Sequence, residues 1–216
     1  MIKLYCAPYS PPSQSVKLTA EHIGVSYELV DCYTTKGDHL AEEYEKLNPQ
    51  RKIPFIVDGD FKLGESRAIM IYLVEKYGKN SRLLPIDPMG RALVNQAMNF
   101  DMGNLYKSIS SYYFPVLTKQ EESHSPEKYE KLKESFSILE QILDGQDFVA
   151  GRNLTIADFT VIISVTTAEV FGFYLDKYKN TVKWIDRVKV AVPSYKKIYA
   201  EDVDQLKKLM VKMMEN

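Results

Sequence analysis

The chain has 216 residues, 45% of them hydrophobic and 26% charged, and its formal net charge is −1. This composition is ordinary for a globular protein, and because the two signs of charge are interspersed we expect no binding to nucleic acid or to an anionic membrane. The sequence has no apolar run of the roughly 20 residues that span a bilayer and no N-terminal signal core, so the cytoplasm is the expected location.

The two cysteines, Cys6 and Cys32, are too few for a disulfide framework. The sequence contains no C-x-x-C pair and no cluster of cysteine and histidine at metal-ligand spacing. We therefore expect free thiols, with Cys6 buried, and no metal site.

About the first 78 residues alternate between strand and helix patterns. Ser10 is a good N-cap residue, and Pro11 and Pro12 suit the first helical turn that follows it. The predicted order is strand, helix, strand, helix, strand, strand, helix, at residues 2–5, 11–23, 27–30, 39–47, 53–57, 61–63 and 64–77. A right-handed β-α-β unit followed by a β-β-α unit is the thioredoxin-like layout.

The stretch from residue 48 to residue 69 carries the strongest signal of a binding site. Its apolar strand has Pro54 near its head, and proline is tolerated in sheets mainly at edges and strand starts. An Asp-Gly turn leads to a returning strand and then to a helix start that contains Glu65, Ser66 and Arg67. An extended edge beside a carboxylate, a hydroxyl and a guanidinium can hold a zwitterionic, peptide-like ligand. An ordinary hairpin followed by a helix cap would give the same pattern.

Only helical patterns follow the proline-containing linker at residues 79–88. The predicted helices lie at about residues 91–117, 126–143, 159–170, 182–190 and 194–214. Pro115 is expected to end or kink the first of them. Thr155 and Asp158 have the spacing of a capping box just before the third helix, which is apolar nearly all round and is therefore expected to be buried.

Four motifs resemble those of the cytosolic glutathione transferases. The I-P strand start and the E-S-R helix start resemble the glutathione site of that family, and G-R-N-L-T-I-A-D-F resembles the N-capping box of its core helix. The segment N-F-D-M-G-N-L-Y-K-S resembles the long helix of the arthropod delta and epsilon classes. The delta class is favoured, although S-P-P near residue 10 is also typical of epsilon proteins. With similarity almost end to end, the chain is identified as a member of this family.

The resemblance implies a fold, an activity and an assembly. The fold would be an α/β thioredoxin-like domain at residues 1–78, a linker at 79–88 and an all-helical domain at 89–216. The activity would be transfer of glutathione, as a co-substrate, to small hydrophobic electrophiles in detoxification, with no permanently bound cofactor. The assembly would be a homodimer. The alternative is a protein of the same fold that sequesters hydrophobic compounds, because Tyr9 and Arg51 replace the glycine and the histidine usual in delta proteins.

The resemblance also implies a catalytic residue. Ser10 matches the serine that donates a hydrogen bond to the glutathione thiolate, although it could also serve only as a helix cap. Tyr9, Ser13 and Ser15 are competing hydroxyl groups. Tyr5, a phenol on an alternating strand, is expected in the core instead.

Eight residues match glutathione-binding positions of the family, namely His39, Arg51, Lys52, Ile53, Pro54, Glu65, Ser66 and Arg67. His39 would contact the glycyl carboxylate, and Arg51 would either do the same or remain a solvated loop charge. Ile53 would offer its backbone to the cysteinyl residue beside a cis proline. Glu65 and Ser66 would hold the γ-glutamyl end.

The electrophile pocket is expected between the two domains. Its candidate residues are Pro12, Tyr106, Ser110, Tyr113, Phe114, Leu117 and Phe171. Aromatic residues at helical spacing are equally typical of a packed core, and that alternative stays open. The methionine-rich tail at residues 206–214 either covers this pocket or packs as a terminal helix.

Overall fold

Four strands form a mixed sheet in the N-terminal part of the computed structural model, which describes residues 1–79 and 81–215. The strands are β1 Ile2–Cys6, β2 Tyr27–Asp31, β3 Phe55–Asp58 and β4 Phe61–Leu63, in the spatial order β2-β1-β3-β4. Strand β1 runs parallel to β2 and antiparallel to β3, and β3 is antiparallel to β4. The β-α-β unit and the hairpin predicted from the sequence are confirmed.

Three α-helices accompany the sheet, namely α1 Pro11–Ile23, α2 Glu42–Leu47 and α3 Ser66–Tyr77. Helix α1 begins where it was predicted, because two prolines form its first turn and the Ser10 hydroxyl accepts a hydrogen bond from the Ser13 N–H at 3.4 Å. It ends at Gly24, whose φ of 72° lets its N–H reach the carbonyl groups of Ala20 and Glu21.

The helix predicted at residues 39–47 is wrong in its first part. The chain makes a 3-10 turn at Asp38–Leu40, and α2 starts only after that turn. The Asp38 carboxylate accepts a hydrogen bond from the Tyr33 N–H at 2.8 Å, and Ala41 is extended with a ψ of 138°. The acidic pattern continues across the break, but the Asp38 side chain is tied to the preceding loop, and helical hydrogen bonds cannot run through an extended residue.

Helices make up most of the remaining chain: α4 Pro88–Phe100, α5 Tyr106–Leu117, α6 Pro126–Ile142, α7 Ile156–Val170, α8 Lys179–Ala191, α9 Ser194–Ile198 and α10 Asp204–Glu215. π-Helical segments at Asp101–Leu105 and Tyr199–Val203 join α4 to α5 and α9 to α10. The helix predicted at residues 91–117 is present as α4 and α5 with a π segment between them, and α5 ends two residues after Pro115. Within the described ranges, no helix is both long and apolar enough to cross a bilayer.

Helix α7 is the centre of the helical part, as its apolar sequence predicted. Every residue from Ile156 to Ala168 is buried, and the predicted capping box of Thr155 and Asp158 is present. Helix α7 packs against α4, α5 and also α1, which in turn packs against α3 of the sheet domain. Because both halves of the molecule cover α1, the loop that precedes this helix lies where they meet.

Candidate active site

Sheet register brings three separate segments of the candidate site to one end of the sheet. Tyr5 of β1 pairs with Phe55 of β3, and Ile56 of β3 pairs with Leu63 of β4. The loop that follows β1, the residues that precede β3 and the residues that follow β4 are therefore neighbours. Since β2 runs parallel to β1, the turns after β2 lie at the same end.

Ser10 lies at the N-terminal end of α1, where its hydroxyl oxygen caps the helix and the side chain is half-buried. A hydroxyl that accepts one hydrogen bond still has its proton to donate, so capping and donation to a ligand are compatible. The Ser15 hydroxyl is buried and donates to the Pro11 carbonyl at 3.3 Å. The Ser13 hydroxyl is fully buried, and no partner for it is present among the described residues.

Tyr9, the remaining competing hydroxyl, is directed away towards the turn after β2. Its oxygen lies 3.0 Å from the Thr35 Oγ1 and 3.4 Å from the Thr34 Oγ1, and it accepts a hydrogen bond from the Thr35 N–H at 3.2 Å. Tyr9 therefore ties the loop of Ser10 to that turn. Tyr5, as predicted, packs with other rings, its centroid lying 5.6 Å from that of Tyr44.

The backbone before β3 presents one residue, Ile53, whose N–H and C=O have no partner among the described residues. The Ile53–Pro54 bond is cis, and the Lys52 carbonyl accepts hydrogen bonds from the Tyr44 hydroxyl at 2.6 Å and from the Asn48 side-chain amide at 2.8 Å. No hydrogen bond from another residue of the described chain reaches the N–H or the C=O of Ile53. A held but unpaired N–H and C=O can bond the backbone of an extended peptide.

The start of α3 combines a strained residue with a buried hydroxyl. Glu65 is exposed and has a φ of 63°, a left-handed conformation that costs a non-glycine residue of order 1 kcal/mol or more and is often found at functional sites. Ser66, the first residue of α3, is buried. Both follow β4 at the end of the sheet where Ile53 lies.

The guanidinium of Arg67 turns away from the sheet towards the helical part. It pairs with the carboxylate of Asp101, and its Nε donates to the Met98 carbonyl at 3.1 Å. Asp101 is fully buried and also accepts a hydrogen bond from the Ser164 hydroxyl at 2.6 Å. Arg67 therefore fixes the start of α3 against α4 and α7, a connection that the sequence did not reveal.

Three further predicted glutathione-binding residues lie on loops at this end of the sheet and differ in burial and in bonding partners. His39 lies in the 3-10 turn after β2, and its Nδ1 is buried without a hydrogen-bond partner among the described residues. Arg51 has a φ of 52° and its guanidinium lies 3.5 Å from the Glu45 carboxylate at a half-exposed position. Lys52 has an exposed side chain.

The predicted pocket residues of α5 divide into three groups. Tyr113 and Phe114 pack on Phe171, with ring centroids 4.9 and 5.7 Å apart respectively. Tyr106 lies near Asp101, and burial raises its pKa. Together with Pro12, Ser66 and Arg67, Tyr106 lines a cavity of about 10 Å³ between the two halves of the molecule.

The other two predicted pocket residues on α5 lie apart from these rings. The Ser110 hydroxyl donates to the Lys107 carbonyl of its own helix at 3.0 Å. Leu117 lines a separate cleft of about 710 Å³ together with Leu209 and Met213 of α10. The tail therefore does both things that were considered: Leu206 packs in the interior, and Leu209 and Met213 line a cleft.

The sequence did not predict the residues that support the site by bonding its backbone and side chains. Tyr44 and Asn48 fix the Lys52 carbonyl, and Asp101 anchors Arg67. Asp101 belongs to the segment that resembled a family helix, but an aspartate within a helical pattern is normally solvated, and its burial has no local signal.

Known proteins resemble the chain over nearly its whole length. Residues 4–81 match the family model described as the glutathione S-transferase N-terminal domain, and residues 98–189 match the model of the C-terminal domain. A delta-class glutathione transferase of Nilaparvata lugens is 39% identical, with 99% of this chain and 100% of that chain covered and a TM-score of 0.94. An epsilon-class enzyme of the housefly Musca domestica is 30% identical, with 99% and 98% covered and a TM-score of 0.91.

A glutathione transferase homologue from Drosophila mojavensis, solved with bound glutathione, is 32% identical, with 99% of this chain and 96% of that chain covered and a TM-score of 0.89. Identity at this level over almost complete chains extends well beyond a shared fold. The predicted architecture, a thioredoxin-like part followed by a helical part, is confirmed. The chain belongs to the glutathione S-transferase family and is a glutathione transferase similar to the insect delta and epsilon classes.

Proposed function

We propose that this transferase binds glutathione across the end of the sheet and conjugates its thiolate to small hydrophobic electrophiles, as in detoxification. The observation that carries this proposal is the backbone of Ile53, whose N–H and C=O have no partner among the described residues although the preceding carbonyl is held by two side chains. The cysteinyl residue of glutathione supplies one C=O and one N–H of its own, so it can pair there as a short extra strand. Glutathione acts as a co-substrate, and we assign no permanently bound cofactor.

Ser10 is the residue to which we assign stabilisation of the thiolate. A thiol with a pKa of about 8.5 is roughly 3% ionised at pH 7, and lowering that pKa to about 6.5 would give roughly 75%. The roughly 25-fold gain corresponds to about 2.7 kcal/mol, which one charge-assisted hydrogen bond and the positive end of a helix can provide together. Ser10 offers both, because its hydroxyl donates to no acceptor among the described residues and it caps a helix of 13 residues.

The remaining assignments concern the two ends of glutathione, the γ-glutamyl group and the glycyl carboxylate. We assign the γ-glutamyl end to Glu65 and Ser66, which follow β4 beside Ile53. The glycyl carboxylate is assigned to His39, Arg51 and Lys52, whose charges and buried imidazole nitrogen lie on loops at that end of the sheet.

Two further residues of the predicted glutathione site act indirectly in this proposal. Pro54 keeps the Ile53 carbonyl and N–H at the strand start, and it is buried. Arg67 positions Ser66 through its pairing with Asp101 and adds positive charge beside the γ-glutamyl end.

The electrophile is assigned to the face of α5 that points between the two halves. Tyr106, Tyr113, Phe114 and Phe171 supply aromatic surface, and Pro12 lies beside Tyr106. Ser110 and Leu117 are assigned to the outer edge of the proposed pocket, where Leu117 lines the adjoining cleft. No contact among the described residues favours the sequestering alternative over conjugation.

We further propose a homodimer in the cytoplasm, with residues 1–78 as the glutathione-binding domain, 79–88 as the linker and 89–216 as the electrophile-binding domain. Apolar side chains exposed on and beside α4, namely Met89, Leu93 and Met102, support a surface that a second copy covers. Both cysteines are buried and free, which suits a reducing compartment.

The test is steady-state conjugation of glutathione to 1-chloro-2,4-dinitrobenzene by the wild type, Ser10→Ala and the control Ser137→Ala, whose serine only bonds its own helix. We expect Ser10→Ala to lose at least about tenfold in kcat while calorimetry gives a glutathione Kd within about twofold of wild type. The pH at which its kcat/KM is half-maximal should also rise, because the bound thiol then ionises at higher pH. An unchanged kcat in Ser10→Ala would contradict the role of Ser10 in stabilising the thiolate. Absence of glutathione binding in the wild type would contradict the proposed glutathione site. Glutathione binding without turnover would favour the sequestering alternative.

A further inference from the structure

A cleft of about 710 Å³ lies beside the proposed electrophile pocket and carries an unusual charge. It is bounded by the turn after β2, the end of α5 and helix α10, and it is lined by Thr34, Thr35, Lys36, Leu117, Thr118, Lys119, Leu209, Lys212 and Met213. Three of these nine residues are lysines and none of the nine is acidic. The whole chain has a formal net charge of −1, so positive charge is concentrated in this cleft.

The cleft on the other side of α10 has the opposite character. Its volume is about 570 Å³, and its three lysines are matched by three acidic residues, so its charged lining consists of Lys17, Lys208, Lys212, Asp31, Glu201 and Asp202. The helix tail alone therefore does not explain the positive cleft. The charge comes from combining the tail with the β2 turn and the end of α5.

Two of the three lysines have no acidic partner to neutralise them. Neither Lys36 nor Lys119 forms an ion pair with a carboxylate of the described residues. The Lys36 Nζ lies 4.3 Å from the centroid of the Tyr33 ring, a cation–π contact that restrains the ammonium without neutralising its charge. Lys119 has a φ of 57° and lies two residues beyond Leu117, the last residue of α5.

The rest of the lining is suited to an apolar chain. Leu117, Leu209 and Met213 supply the apolar part of the lining. Leu117 is one helical turn beyond Tyr113 and Phe114 on α5, so the apolar lining continues the aromatic face of that helix. On the opposite side, Thr35 is hydrogen-bonded to Tyr9, the neighbour of Ser10.

We propose that this cleft is the outer part of the electrophile site and selects amphipathic electrophiles that end in a carboxylate. The aliphatic part would lie on Leu117, Leu209 and Met213, and the carboxylate would meet Lys36 and Lys119. This inference rests on the proposed conjugating function.

A suitable substrate class is a medium-chain carboxylic acid with an α,β-unsaturated ketone. In that reaction the glutathione sulfur bonds to the β-carbon, the π electrons move to the α-carbon, and the α-carbon takes up the proton that the thiol gave up, so no group leaves.

Direct binding tests the cleft independently of catalysis. Calorimetry would compare decanoate with decan-1-ol on the wild type, Lys36→Gln, Lys119→Gln and the double variant. Each single substitution should weaken decanoate binding about two- to fivefold, the usual range for one partly exposed ion pair, and the double variant more than about fivefold. Binding of decan-1-ol should be unchanged, and raising the salt concentration should weaken decanoate binding to the wild type far more than to the double variant.

The control is Lys107→Gln, because Lys107 is an exposed lysine of α5 that lines a different cleft. Its decanoate affinity should equal that of the wild type. Equal losses for decanoate and decan-1-ol, or a loss in Lys107→Gln as large as in Lys36→Gln, would overturn the proposal.

Turnover supplies the second readout. For a ten-carbon enone acid and its methyl ester, the ratio of kcat/KM for acid over ester should fall at least about fivefold from the wild type to the double variant. If neither the acid nor the ester is turned over, the conjugating function fails, while the decanoate titration still decides the cleft. If the ester is turned over and the ratio is the same in both proteins, the selective cleft is refuted and the conjugating function stands.

Discussion

Asp58 clamps the end of β3 to the last turns of α3 through three hydrogen bonds to one carboxylate oxygen. The Tyr72 and Tyr77 hydroxyls donate at 2.5 Å each, and the Lys76 ammonium donates at 2.7 Å. The hydrogen bond from Lys76, followed by those from Tyr72 and Tyr77, lowers the pKa of Asp58 to about 2. Because the pKa is lower in the folded protein than in the unfolded chain, the stabilisation is complete above the unfolded value near pH 4 and is lost as the pH falls towards 2.

Asp58→Asn should lower the free energy of unfolding by about 1 kcal/mol at pH 6, a value that allows for solvent screening of this partly exposed cluster. The difference from the wild type should shrink to roughly half by pH 3, since the wild-type carboxylate has by then lost much of its advantage over the unfolded state. Urea titrations between pH 3 and pH 6 measure both quantities.

The matched control is Asp60→Asn in the same hairpin, where the carboxylate is exposed. Its free energy of unfolding should follow that of the wild type at every pH. A stability difference for Asp58→Asn that stays constant from pH 6 to pH 3 would show that the charge of Asp58 is not the origin of the effect.

The partners of a side chain such as Asp58 cannot be predicted from its own position in the sequence. The Asp-Gly pair predicted the hairpin, and the hairpin is present. The three donors to Asp58 come from a helix that follows the hairpin, and their convergence depends on how that helix crosses the sheet. The same limit holds for Arg67, whose partner Asp101 lies 34 residues further along the chain. The predicted place of Arg67 at the glutathione site stays a prediction.

Helix α7 shows how a local signal and a distant contact combine in one element. The Asp158 carboxylate accepts hydrogen bonds from the Thr155 N–H at 2.9 Å and from the Val149 N–H at 3.0 Å. It also accepts one from the Trp184 indole of α8 at 2.9 Å. One buried side chain therefore caps α7, fixes the loop before it and anchors the neighbouring helix.

Asp158→Ala should lower the free energy of unfolding by about 3 kcal/mol or more, because it leaves buried donors of Thr155, Val149 and Trp184 unpaired. Trp184 is the only tryptophan in the chain, so its fluorescence reports the unfolding transition and the loss of local packing together. The control is Asp144→Ala, at an exposed position after α6. It should change the free energy of unfolding by less than about 0.5 kcal/mol, the usual effect of an exposed substitution. A midpoint for Asp158→Ala equal to that of the wild type would contradict this account of the cap.

Elements were predicted best where one turn of chain contains the whole signal. The capping box of α7 needs only residues three apart, and the cap of α1 needs Ser10 and the two prolines after it; both are confirmed. The π segment between α4 and α5 was not predicted, because the apolar spacing on either side of it reads as one continuous helix. The break before α2 was missed for a similar reason, since the conformation of Ala41 leaves no mark in the composition.

At the scale of the whole molecule, a buried ion pair fastens the C-terminal tail to the rest of the protein. The Lys17 ammonium of α1 lies 2.8 and 2.7 Å from the two carboxylate oxygens of Asp202, and both side chains are less than 10% exposed, at 8% and 3%. Asp202 lies in the π segment that leads into α10. Because α10 forms one wall of the positive cleft, this pair also supports the proposed outer electrophile site.

Lys17→Met should weaken the attachment of α10 by about 3 kcal/mol, because it leaves the Asp202 carboxylate buried and unpaired. Amide hydrogen exchange at residues 204–215 should then become about a hundredfold faster. The double variant Lys17→Met with Asp202→Leu should recover most of the protection, since a well-packed apolar pair replaces the buried ions.

Lys208→Met provides the comparison for that experiment. Lys208 forms an exposed ion pair with Asp204 at 2.7 Å within the same helix, and exposed pairs contribute little. Its exchange rates should stay within severalfold of the wild type. Equal protection of α10 in Lys17→Met and in the wild type would mean that the ion pair does not fasten the tail.

The sequence by itself determined the elements whose signals are local, and from them the thioredoxin-like order, the all-helical second part and the family. It also determined that Ser10, Ile53 and Glu65 belong to elements whose ends meet, because a β-α-β unit joined to a hairpin has that register. Their roles in binding glutathione stay predictions.

Only the tertiary structure decided which distant residues are partners. The pair of Lys17 and Asp202 is separated by 185 residues, and the positive cleft joins Lys36, Lys119 and Lys212 from three distant segments of the chain. The physical reason is that caps, turns and periodicity act over a few residues of chain, whereas buried ion pairs and clefts depend on how completed elements pack against one another.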